Sequence, residues 1–84
     1  MTKYYIHQFH DGEWIRDDEG DEFLSLEKLK LELTAAAREI MADRLIKGEA
    51  PDHSRFEVVD EEGRTILVFP FKDAIPGNGE QSRG

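Results

Sequence analysis

Two runs of carboxylates hold the residues best suited to chemistry in this chain. Asp17 to Glu22 (DDEGDE) places five acids in six residues, and Asp60-Glu61-Glu62 repeats the theme on a smaller scale. Calcium and magnesium take hard oxygen ligands that converge from more than one segment, so Asp17, Glu19, Asp21, Asp60 and Glu62 are the candidate metal ligands. The spacing is not that of an EF-hand. Counted from Asp17, Glu22 stands where that loop needs glycine and Lys28 where it needs its closing glutamate. The plainer reading is a solvated acidic loop just before a helix, where the helix dipole favours negative charge.

The histidines are His7, His10 and His53, with Asp11 and Asp52 beside two of them. His10, His53 and a carboxylate would make a zinc site in principle, but no ligand-spacing motif stands behind it. Nucleophilic chemistry has only Ser25, Ser54 and Ser82 to draw on, and cysteine is absent. Ser25 is already explained as a helix cap. Gly20 stands among acids that would repel a phosphate, and no glycine-rich loop opens a helix. The residues therefore imply no catalytic constellation, no cofactor and no enzyme.

These groups must be carried by a small scaffold. Eighty-four residues make one domain with one modest core. A formal net charge of -8 and a pI near 4.7 argue against nucleic acid, whose backbone is bound through clustered Lys and Arg. Phe9, Trp14, Phe69 and Phe71 have the rings to stack bases, but the sequence supplies no basic cluster beside them, and they read as core. No signal peptide, lipidation box or apolar run of membrane-spanning length is visible, so the expectation is a cytoplasmic protein with no membrane partner.

The central element is a helix from Ser25 to Lys47. At about 100° per residue, Leu26, Leu29, Leu33, Ala36, Ala37, Ile40 and Met41 fall within an arc of about 140°, a core-facing stripe. Ser25 caps its start; Arg44, Lys47 and Gly48 suit its end. Before it, Lys3 to His10 and Glu13 to Arg16 read as strands joined by Asp11-Gly12, a type I′ turn signal. That register sets Phe9 opposite Trp14 and His7 opposite Arg16. Tyr5, Phe9 and Trp14 then share one face, and Tyr4, Ile6 and Ile15 the other; pattern alone does not say which face the helix covers. After the helix, Arg55 to Asp60 and Arg64 to Phe71 form a second hairpin across Asp60-Glu61-Glu62-Gly63, with Pro70 near its end.

The expected fold is α+β, β-β-α-β-β: a four-stranded, mainly antiparallel sheet with one long helix packed on one face. The domain spans residues 1–75, and 76–84 (PGNGEQSRG) reads as a disordered tail. Strand directions gather the two acidic loops toward one end of the sheet and His10 and His53 toward the other. A helix of about 33 Å should overhang strands of about 20 Å. On its reverse side Leu31, Ala35, Ala42 and Ile46 form a thinner apolar line at spacings of four, seven and four. That line is the candidate interaction surface, for an unknown protein partner or a second copy of the chain as a homodimer.

The segments YYIHQFHDG, DDEG, LEKLKLELTAAAREIMA, RFEVVDEEGRTIL and PFKDAI, in that order, closely resemble a group of small bacterial proteins known as domain of unknown function 6894. The resemblance runs from Tyr4 to Ile75. It implies a single-domain or accessory protein with no assigned reaction, and it brings no catalytic residues. Where members of that group carry a histidine three residues before the turn aspartate, this chain has Gln8, with His7 beside it. The expected function is thus a non-enzymatic interaction or regulatory module. The alternatives are an acidic decoy or antitoxin-like module for a basic partner, and a divalent-metal protein or enzyme.

Overall fold

A computed structural model describes residues 1–49 and 53–75; the 76–84 tail expected from composition lies outside the described residues. The chain runs β1 (Thr2–His10), β2 (Glu13–Ile15), β3 (Asp21–Phe23), α1 (Leu26–Ile46), β4 (Arg55–Val59) and β5 (Thr65–Pro70), then a 3₁₀ turn over Phe71–Ala74. The fold is α+β, and the strands pair antiparallel in the order β2-β1-β4-β5.

The four expected strands are joined by a fifth. Asp21–Phe23, whose first two residues read from sequence as the end of the acidic loop, pairs with Thr2, Lys3 and Tyr4. β1 is nine residues long and β2 covers only Gln8 to His10, so the other end of that edge stays open until β3 fills it. Acidic residues disfavour strands intrinsically, but backbone pairing with a longer neighbour overrides that weak preference. The same length shrinks the expected overhang. Nine extended residues span about 30 Å, close to the roughly 31 Å of a helix of 21 residues at 1.5 Å each.

The caps of α1 follow the sequence. The Ser25 side chain accepts the Lys28 amide at 3.1 Å. At the far end Gly48 is left-handed (φ 81); its amide donates to Leu45 O, and the Glu49 amide donates to Arg44 O. This pair of bonds is the Schellman closure that a left-handed glycine permits. The Asp11-Gly12 turn has φ of 52 and 80, as a type I′ hairpin requires, and Phe9 pairs with Trp14. His7 does not reach Arg16, because the β1–β2 ladder ends at Gln8 and Ile15.

The helix covers the Tyr4 and Ile6 face. Leu29, Leu33 and Ala37 are buried together with Phe23, Phe56, Val58, Phe71 and Ala74, and Leu26, Ala36, Ile40 and Met41 pack around them. The stripe of α1 is therefore the one periodicity gives. Phe69 joins this core at its margin. The 3₁₀ turn, unforeseen in sequence, closes one end: Phe71 stacks on Phe56 at 4.7 Å between centroids, and Arg38 Nε donates to Ala74 O at 2.6 Å.

Candidate functional site

The acidic loop is organised by Asp17. One of its carboxylate oxygens accepts the Ile6 amide at 3.0 Å, and the other accepts the amides of Glu19 and Gly20 at 3.2 and 3.0 Å. Between β2 and β3 no strand lies along β1, so this side chain stands in for the missing ladder partner. The Asp17 backbone amide in turn donates to His7 Nδ1 at 3.0 Å. Partial burial pushes the Asp17 carboxyl up, but the three amides, aided by His7, more than offset it and hold it below the usual carboxylate range.

Gly20 closes the loop against the sheet. It has φ of 73, and an added Cβ would lie 2.9 Å from Tyr5 Cε2 and 3.1 Å from Tyr4 O. Gly12 has a similar φ but open space around it. Gly20→Ala should therefore lower stability by about 2 kcal/mol or more, strain and overpacking together. Gly12→Ala should lose only about 1 kcal/mol, since it meets the backbone penalty alone. Urea midpoints of the two variants check the difference.

The second acidic run repeats the same device. Asp60 accepts the amides of Glu62 and Arg64, both at 2.9 Å, and Arg64 Nε at 3.1 Å. The Arg64 and Glu62 contacts lower its pKa. In both runs the pattern Asp-x-Glu-Gly puts an aspartate at the start of a turn that a left-handed glycine ends. That recurrence was visible in the sequence and is the signal that marks Asp17 and Asp60 as turn-builders.

The proposed metal ligands do not converge. Asp21 pairs along one edge of β1, whereas Asp60 follows β4 on the other, so β1 separates the runs by about 10 Å, two strand spacings. Glu19 and Glu62 are exposed, and Glu62 pairs with Arg64. Among the described residues no group of three or more His, Asp or Glu is arranged to hold a metal ion.

At the opposite end His10 meets Ser54 rather than His53. His10 Nδ1 and Ser54 Oγ are 3.0 Å apart, and Arg44 Nη1 donates to the same oxygen at 2.8 Å. Arg44 also lies over the Phe71 ring, 5.6 Å from its centroid. A hydroxyl between an imidazole and a guanidinium has the ingredients of an activated nucleophile, but Ser54 is 2% exposed and a substrate has no path to it. The cluster ties together the end of β1, the last turn of α1 and the start of β4. Sequence reasoning missed it because the partners stand 10 and 44 residues apart. His53 is exposed.

The uncovered sheet face carries a row of stacked rings. Arg55 lies over Phe9, 4.5 Å from its centroid, Phe9 packs on Trp14, and Trp14 on His7 at 5.5 Å. Arg55 is also paired with Glu57 at 2.7 Å. Phe9 and Trp14 therefore belong to this outer face and not to the core. The row needs no ligand to explain it, because cross-strand pairing of this kind stabilises an open face.

The interaction candidates lie on the far side of α1. Leu31 is 68% exposed and Ile46 84%; Ala35 and Ala42 between them are exposed as well.

This hairpin, acidic turn, long helix and second hairpin form the frame of a known sequence family. The family description domain of unknown function (DUF6894) matches residues 3–72. The chain belongs to this family. The match covers the helix and, except for Thr2, all five strands, and it assigns no reaction to any of the clusters above. Neither a curated protein nor a solved structure matches the chain. No helix among the described residues of this family member is long and apolar enough to cross a membrane.

Proposed function

We propose that this domain is a non-enzymatic protein-interaction module that docks through the outward face of α1, and that it works in the cytoplasm. The observation that carries the reading is the exposure of Leu31, Leu45 and Ile46, at 68%, 63% and 84%, on a helix whose opposite stripe already fills the core. Ala35 and Ala42 lie between them and let a partner approach closely. Exposed large apolar groups grouped on one face mark contact surfaces more often than scattered ones do.

The sheet edges are less suitable. The Phe71 amide donates to Ser54 O, in step with the Phe56–Phe69 and Val58–Leu67 pairs, so Pro70 presents its N, without a hydrogen, to the open edge of β5. A bulge at Val58/Val59 irregularises the other end of that strand. Proline and bulges both blunt an edge against pairing. The opposite edge is split between β2 and β3 and lined with acids.

Light scattering on the full chain tests whether the partner is a second copy. A wild-type dimer converted to monomer by Leu31→Glu/Ile46→Glu, with unchanged circular dichroism, is the expected result for a homodimer seam. For a different partner, co-purification from the native cell should lose it with the same double variant, the affinity falling about thirtyfold or more. Retention of every partner by the variant sinks the reading. Partners lost from wild type as salt rises would favour the acidic-decoy alternative instead.

A further inference from the structure

We propose that His7 and Asp17 form a proton-operated latch that holds the acidic loop against β1. The latch is a matter of tautomer. His7 Nδ1 accepts the Asp17 amide at 3.0 Å, so Nδ1 carries no proton, and the neutral ring bears its hydrogen on Nε2. His7 is 8% exposed, and its ring packs against Trp14. Protonation gives the ring its second hydrogen, on Nδ1, where it faces a backbone N–H. Two donors cannot share that position, and the bond must break.

The surroundings accept the charge while the geometry rejects the bond. The loop presents the Asp17 carboxylate, already engaged with three amides. From β4 comes Glu57, directly across the ladder from His7 and ion-paired with Arg55. β2 contributes the uncharged Trp14, and β1 itself has Tyr5 and Phe9 on the same face, with Lys3 over the Tyr5 ring. Arg16 next to the loop is paired with Asp18. Two carboxylates near one cation let the imidazolium form and turn away from the amide, so the loop loses one anchor without a bare buried charge.

What the latch covers gives it a consequence. β2 pairs with residues 8–10 of β1 and β3 with residues 2–4, which leaves Tyr5 to His7 bordered along that edge by the acidic loop. Opening the loop uncovers a short length of the outer edge of β1, between β2 and β3. This inference stands apart from the helix-face reading, since none of its residues lies on α1.

Nitrogen-15 spectroscopy of the full chain tests it. At about pH 8, His7 should show the Nε2–H tautomer, and both ring nitrogens are then followed as the solution is acidified to about pH 5. Over that step the exchange protection of the Asp17 amide should fall about tenfold or more, while the Leu29 and Val58 amides keep theirs. Trp14 fluorescence should change in the same step. His7→Gln should abolish the step, and His10→Gln should keep it. An Nδ1–H tautomer at the higher pH, Asp17 protection that survives His7 protonation, or the same step in His7→Gln overturns the proposal. If His7→Gln does not fold, the wild-type ring and amide measurements decide the question by themselves.

Discussion

Phe71→Ala should destabilise the domain by about 3–5 kcal/mol, the range for truncating a large buried ring. Phe71 is 2% exposed, stacks on Phe56 and lies beneath the Arg44 guanidinium. Truncation opens a cavity at the end of the core and removes the surface on which Arg44 rests while it holds Ser54. A domain of this size has a total stability of only about 5–15 kcal/mol, so a large share is lost. Thermal unfolding should show a midpoint lower by about 15 °C or more. Phe71→Leu keeps most of the volume and should lose much less. A midpoint within a few degrees of wild type for Phe71→Ala would mean that the 3₁₀ turn does not close the core.

Asp17→Asn should cost about 2–3 kcal/mol near neutral pH. The carboxylate accepts three amides, and hydrogen bonds to a charged acceptor are the strong kind. An amide side chain turns one of the two accepting atoms into a donor, which then faces another donor. The pH dependence carries a definite sign. The folded-state pKa of Asp17 is depressed, so the folded protein binds fewer protons there than the unfolded chain does. Its contribution is whole above about pH 4, the ordinary carboxylate value, and disappears as pH falls through the lower folded value. Asp60 is shifted in the same direction. Urea midpoints should therefore drop as pH falls below about 4. The gap between wild type and Asp17→Asn should narrow over the same acid range. A gap that stays constant there would mean the effect is one of shape, not of the charged acceptor.

Much of this architecture is legible along the chain because its signals are local. The apolar stripe of α1 repeats every three to four residues, and Ser25 and Gly48 mark its ends within one turn of the helix they cap. The Asp11-Gly12 dipeptide names its own turn type. β3 and the 3₁₀ turn escape such reading. Asp21 and Glu22 are poor strand formers that pair only because β1 is longer than β2. Phe71 looks like the end of β5, and it turns inward because Pro70 ends the strand beside α1.

The acidic run shows the division most sharply. Its composition suggested a cation site or a solvated loop. Neither reading contains the bond from Asp17 to Ile6 or that from the Asp17 amide to His7, 11 and 10 residues away.

By itself, then, the sequence determined the helix, its caps, the first hairpin turn, the α+β class and the family. Tertiary structure decided which face of the sheet the helix covers. It also set the strand order, the separation of the two acidic runs and the partners of His7, His10 and Ser54. The physical reason is range: periodicity and turn chemistry act over a few residues of one segment. The choice of covered face and of side-chain partners depends on which distant strands come to lie side by side.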